Sequence, residues 1–141
     1  MWQPRPARGS ILRMARNIIL SPRVVPYRSA MVHAVKAGGF VFTSGVVPWR
    51  SARGDIARGD FAAQLHQVMH NLICILEDAG SSLDKAVKIT VAMTDMANFA
   101  VFDEIYRSYF KDGDMPARMT SESPRLAHPD HMIVMDCIAT L

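Results

Sequence analysis

Between Asp60 and Ala79 the apolar residues keep helical spacing, and on both sides of that stretch the spacing drops to that of strands. Phe61, Leu65, Val68, Leu72, Ile75 and Leu76 recur at three- and four-residue steps and so share one helix face. Asp60 offers a side-chain oxygen to the unpaired first amides, and Gly80 supplies the positive φ that often ends a helix. Upstream, His33 to Lys36 and Phe40 to Val46 read as a hairpin turned by Ala37-Gly38-Gly39, with Asn17 to Leu20 as a short edge strand. Downstream, Val87, Ile89, Val91 and Met93 alternate with Lys88, Thr90 and Ala92. This predicts a strand over Ala86 to Met93 with the first four residues on one side. A second amphipathic helix is expected from Asn98 to Phe110, with Phe99, Phe102, Tyr106 and Phe110 inward. Two strands close the chain, about Arg118 to Ser123 and Met132 to Leu141.

The order β-β-β-α-β-α-β-β, with no internal repeat, predicts an α+β fold: a two-layer sandwich of a mixed sheet with two helices on one face. A chain of 141 residues that is 50% hydrophobic has enough apolar surface for one core without disulfide or metal staples. Met132-Ile133-Val134-Met135 is apolar on both faces, whereas a two-layer domain ordinarily wets its outer sheet face. An oligomer that covers that face is therefore expected.

Charge is unevenly spread. The first 54 residues hold nine Lys and Arg and no acid, while the remainder hold seven bases and all 13 acids. Such asymmetry suits either a nucleic-acid-binding arm or, more simply, two segments that interleave and neutralise each other. Residues 1–16 carry Arg5, Arg8, Arg13 and Arg16 with Pro4 and Pro6 and are expected to form a flexible basic arm ahead of a domain at 17–141. They lack the apolar run of a secretory signal, and no stretch is long and apolar enough to span a bilayer, so no membrane partner is expected. Cys74 and Cys137 show no paired spacing, which points to buried thiols in a reducing, cytoplasmic setting.

Several chemistries are excluded by missing motifs. Gly38-Gly39 lacks the third glycine and following helix of a nucleotide loop, Ser44 lacks a nucleophile elbow, and the Pro-Cys-x-x-Cys of zinc deaminases is missing. His66 and His70 have the four-residue spacing of two metal ligands, but no third ligand accompanies them, so a surface or interface pair is expected and no metal. His128 and His131 flank Pro129 and read as solvated turn residues. In Pro116-Ala117-Arg118, Pro116 stops the helix and places Arg118 at the start of a strand. A guanidinium there holds a carboxylate by two parallel bonds, unless it is merely ion-paired.

The ordered pieces His33-Ala34-Val35-Lys36-Ala37-Gly38-Gly39, Thr43-Ser44-Gly45, Glu77-Asp78-Ala79-Gly80, Val87-Lys88-Ile89-Thr90-Val91, Thr94-Asp95-Met96, Pro116-Ala117-Arg118, Arg125-Leu126 and Ile138-Ala139 extend the pattern. Over residues 17–141 the chain resembles the RidA (YjgF-type) reactive-intermediate deaminase family. That resemblance implies a chorismate-mutase-like fold, a homotrimer with clefts between subunits, no metal or cofactor, and hydrolysis of 2-imino or enamino acids to 2-keto acids and ammonia. It implies that Arg118 grips the substrate carboxylate, that Ser44 and Gly45 form pocket wall, and that Thr120 stands at a position often held by Cys, Ser or Thr. It also aligns Asp136 with a family Glu that orients water, Met31 with a pocket tyrosine (Tyr27 lying four residues earlier), and Asp103 with a frequent Asn. These departures keep a second reading open, a non-catalytic trimer that binds small carboxylates. The basic half keeps a weaker third, RNA binding or cleavage, since no stacking-aromatic pattern accompanies the charge. The catalytic reading requires Arg118 and Asp136 to open into one cleft, with the guanidinium not consumed by an internal ion pair.

Overall fold

The computed structural model describes residues 15–51 and 53–141; residues 1–14, most of the expected arm, lie outside the described residues. Six strands make one sheet: β1 (Asn17–Ile19), β2 (Ala34–Ala37), β3 (Phe40–Thr43), β4 (Ala86–Met93), β5 (Ala117–Glu122) and β6 (Ile133–Thr140). Their order across the sheet is β1-β2-β3-β6-β4-β5, antiparallel throughout except for the parallel pair β4 and β5. Helices α1 (Phe61–Asp78) and α2 (Phe99–Arg107) pack on one face, and α2 lies in the crossover that makes β4 and β5 parallel. This is the two-layer α+β sandwich that the alternation of periods predicts.

The ends of α1 form as the sequence requires. Asp60 Oδ1 accepts from the Ala63 amide at 3.0 Å, and Gly80 past the other end takes a φ of 84°. The hairpin between β2 and β3 turns through Gly38 and Gly39, both at positive φ. Two expectations change. α2 stops at Arg107, because Tyr109 and Phe110 donate to the carbonyls of Tyr106 and Arg107 and tighten the last turn to three-residue bonds. Val87 leaves the inward row, since the pairing of β4 with β6 slips between Ala86 and Lys88 and the bulge turns it outward, 45% exposed.

The core lies between sheet and helices, from Leu65, Val68, Leu72 and Ile75 of α1 to Ile89, Val91, Ile133 and Met135 of the strands. On the opposite, open face Ile18, Val35, Phe42 and Ile138 pair in a row across four strands, with Ile18 and Phe42 exposed. The two charged segments do interleave: Arg23 binds Asp78 at 2.8 Å and Glu77 at 3.5 Å.

Candidate functional site

Pro116 ends the turn that follows α2, and β5 begins one residue later. The parallel register sets Arg118 opposite Ile89 and Thr120 opposite Val91, so both side chains project from the helix-covered face. There Arg118 meets α2. Its Nη1 donates to Asp103 Oδ1 at 3.2 Å, and Asp103 Oδ2 accepts from Arg107 Nη2 at 3.1 Å, one helical turn along. The guanidinium carbon lies 5.1 Å from the ring centre of Phe102 and 4.9 Å from that of Tyr106, within cation–π range.

Among the described residues Nη1 is the guanidinium nitrogen that the protein engages, and the side chain stays 23% exposed. Arg118, Asp103, Tyr106, Arg107, Asp112 and Pro116 line a cavity of about 430 Å³. The hydrogen bonds from Arg107, then Arg118, hold the Asp103 carboxyl below the ordinary aspartate range. Burial pushes the Tyr106 phenol up to about 12, so it stays protonated. The Tyr106 Oη and Thr120 Oγ1 atoms are buried and without a hydrogen-bond partner among the described residues.

A second cavity, of about 540 Å³, opens on the other face of the sheet, where Ala92 of β4 pairs with Val134 of β6. Met31 and Gly45 line it, as does Tyr27, whose hydroxyl donates to the Gly45 carbonyl at 2.7 Å. A side chain at position 45 would meet Val134 Cγ1 at 3.0 Å, which is why the wall closes here on a glycine. Trp49, His128 and His131 complete the wall. The indole N–H donates to His131 Nε2 and, being donor only, fixes that nitrogen as acceptor. His131 is 4% exposed, and burial, helped by neighbouring His128, lowers its pKa to about 4. The ring is thus neutral at pH 7, with its proton on Nδ1.

The expected site residues therefore fall in two places. Arg118 and Asp103 share the smaller cavity, and Met31 and Gly45 share the larger. Ser44, Thr120 and Asp136 line neither; Ser44 instead donates its amide to the His33 carbonyl at 3.0 Å and closes the hairpin. Asp136, expected to hold water beside Arg118, does not share a cavity with it within one chain. Asp136 pairs with Thr90 on the open face, is exposed, and faces away from Arg118. Residues two apart on a strand share a face but stand about 7 Å apart. That offset makes Val134, not Asp136, the β6 residue at the cavity.

His131 is likewise not a solvated turn residue. It is buried because Trp49 reaches it from a distant loop, a contact no local pattern announces. Trp49 and Arg28, whose guanidinium lies 4.7 Å over the indole, were not among the expected site residues; an aromatic after Pro48 was the available signal. His66 and His70 are exposed, as expected of a surface pair. His66 Nδ1 shares a hydrogen bond with the Tyr109 hydroxyl at 2.6 Å, and His70 lies 3.8 Å from the Cys74 sulfur. Among the described residues no group of three or more His, Cys, Asp or Glu is placed to hold a metal ion. No helix among them is long and apolar enough to cross a membrane.

Comparison with known proteins agrees with this architecture. The family model described as Endoribonuclease L-PSP matches residues 24–141. A RutC family protein of Pyrococcus abyssi is 36% identical over 126 residues, 89% of this chain and 98% of that protein. The structure of YyfA from Yersinia pestis, a Rid family protein, superposes with a TM-score of 0.85 at 29% identity, covering 90% of this chain and 100% of that one. TdcF of Escherichia coli, solved with bound serine, superposes with a TM-score of 0.81 at 30% identity, covering 89% and 98%. The sandwich is the chorismate-mutase-like fold of these structures. With the model spanning most of the chain and a relative matched almost end to end, the chain belongs to the Endoribonuclease L-PSP family, that of the RutC and Rid (YjgF) proteins.

Proposed function

We propose that this chain hydrolyses reactive 2-imino acids to 2-keto acids and ammonia, in a cleft that two copies complete together. The observation that carries the reading is Arg118 in the lining of the 430 Å³ cavity: its internal ion pair with Asp103 runs through Nη1 and leaves the rest of the guanidinium to a ligand, while Asp136, outside this cavity, carries no part of the reading. The remaining N–H groups of Arg118 suit a carboxylate, and such a bidentate pair gives orientation as well as affinity. Asp103 is not a free competitor, being shared with Arg107. The rim as a whole carries Arg107 and Arg118 against Asp103 and Asp112. The bound serine of the TdcF relative supports a small amino-acid-like ligand.

A second copy is needed because the two cavities occupy opposite faces of one sheet and cannot meet within a chain. The uncovered row of Ile18, Val35, Phe42 and Ile138 supplies an apolar surface for such an assembly, in keeping with the trimer that the resemblance implies. In the reaction, water adds to C2 of the imine to give a carbinolamine. A proton then passes to nitrogen, and the C–N bond breaks to release ammonia and leave the 2-keto acid. The imine is intrinsically labile, so orientation by Arg118 and exclusion of unproductive poses supply most of what is required.

One observation favours a second reading, binding without turnover: among the described residues no carboxylate lines the 540 Å³ cavity, so they offer no strong base there for the attacking water. Arg23, one of the N-terminal cations that would serve RNA binding, is neutralised by Asp78 and Glu77. The deciding experiment couples the protein to an L-amino-acid oxidase and follows semicarbazide trapping of the released imine. Wild type is expected to lower the trapped fraction, and Arg118→Ala to lose about 100-fold in that activity. Equal rates with and without Arg118 overturn the proposal, and tight binding of 2-keto acids without any acceleration selects the second reading.

A further inference from the structure

Trp49 is held by contacts from α1 and from the loop before β6. Asn71, 3% exposed on α1, donates its side-chain amide to the carbonyls of Val47 at 3.0 Å and of Trp49 at 3.1 Å. His131 accepts the indole N–H, and both His128 and His131 meet the indole edge-to-face. Gly54 leaves room for the ring, since a Cβ there would stand 3.0 Å from Trp49 Cζ3. Two buried polar side chains and one glycine thus converge on one aromatic residue. Buried polar groups are costly unless paired, so such a set marks a position whose geometry matters.

Beside Arg28, Ser29 and Tyr27, the rest of that wall is mostly apolar: Val25, Met31, Val47, Leu126 and Val134 face the same space. A volume of about 540 Å³ far exceeds what a methyl or hydroxymethyl group fills, and it is of the size that small organic ligands occupy. We propose that this cavity receives the side chain of the imino acid, and that Trp49 makes the chain selective for bulky apolar side chains of the leucine or phenylalanine kind. The inference rests on the reading above, in which the cavity of one copy meets Arg118 of another. Arg28 lies 4.7 Å over the indole on the same wall, and an acidic side chain is the competing occupant to be tested.

The test compares 2-imino acids generated from alanine, leucine, phenylalanine and glutamate in the oxidase-coupled assay. It is run alongside calorimetric titration of pyruvate and phenylpyruvate. Wild type is expected to favour the phenylalanine- and leucine-derived imines over the alanine-derived one by about 10-fold or more in kcat/KM. Phenylpyruvate should bind about 10-fold tighter than pyruvate. Trp49→Ala should lower turnover of the phenylalanine- and leucine-derived imines about 10-fold more than that of the alanine-derived one, erasing most of that ratio, and Trp49→Phe should keep most of it. A preference for the alanine- or glutamate-derived imine overturns the inference while leaving imine hydrolysis standing. So does a Trp49→Ala loss that is uniform across substrates. Should no imine be hydrolysed while phenylpyruvate still binds more tightly, the cavity assignment holds and imine hydrolysis fails; should neither keto acid bind, the assignment fails as well.

Discussion

Around Arg118 a cation is steadied by a partly exposed carboxylate over two buried aromatic rings, whereas around Trp49 an apolar ring is fixed by buried polar side chains. The first arrangement has Asp103 bridging two arginines, with aromatic faces beneath the guanidinium and open space beyond it. Exposed ion pairs contribute little to folding, so this half is adjustable and its charge remains available to an anion. The second is built from Asn71, His131 and Gly54, which leave the indole little freedom. Electrostatic recognition tolerates a mobile partner; recognition by shape needs a rigid wall. This chain thus carries a charged, adjustable cavity and a mostly apolar, preformed one on opposite sides of the same sheet.

The largest effect that separates the halves is expected at Asn71. Replacement by Ala leaves the Val47 and Trp49 carbonyls without their side-chain donor and opens a void beside α1. The loss should be about 2–3 kcal/mol in urea unfolding, less a few tenths for the better helix propensity of Ala. Phenylpyruvate affinity should fall with it and pyruvate affinity should not. A parallel fall in both would show that the halves are not independent.

Acid should strike the Trp49 half next. His131 titrates near 6.5 when unfolded and at about 4 when folded, so the folded state resists protonation. Its neutral ring therefore supports full stability above about pH 6.5. That support declines as pH falls and levels off below about 4, a change of up to about 3 kcal/mol. Urea midpoints measured across this range should slope for wild type and flatten for His131→Gln. An unchanged slope would place the titration elsewhere.

Much of the scaffold was readable because its signals are local. The period of α1, the Asp60 cap, the Gly38-Gly39 turn and Pro116 ahead of β5 each act within a few residues. The bulge at Val87 was hidden, since it depends on which residues of β6 lie alongside. The alternation in β6 put Val134 and Asp136 on one face, but period alone does not say which reaches a cavity. Trp49 offered only an aromatic after Pro48, for a stronger reason: its partners are 22 and 82 residues away in sequence. Arg118 was visible because Pro116 announces it and the family resemblance adds a role. Its bond to Asp103, fifteen residues upstream, came only with the packing of α2 on β5.

The smallest effect is expected at Asp103, and it tests whether the charged half is as adjustable as its exposure implies. Asp103→Asn keeps the size of the side chain and an acceptor for Arg118 while removing a negative charge from the cavity rim. Two opposing consequences follow. Arg118 loses an ionic partner, which at partial exposure costs at most about 1 kcal/mol of stability. An incoming carboxylate loses a like-charged neighbour, and at the dielectric of a protein surface that gain is of the same order. Because the substrate feels the second and not the first, pyruvate should bind about threefold to tenfold tighter, with the gain shrinking in high salt. The ratio of phenylpyruvate to pyruvate affinity should not move, since Asp103 lies on the opposite face from Trp49. Weaker pyruvate binding would mean that Asp103 holds Arg118 in its productive position, so that the charged half, too, is preformed.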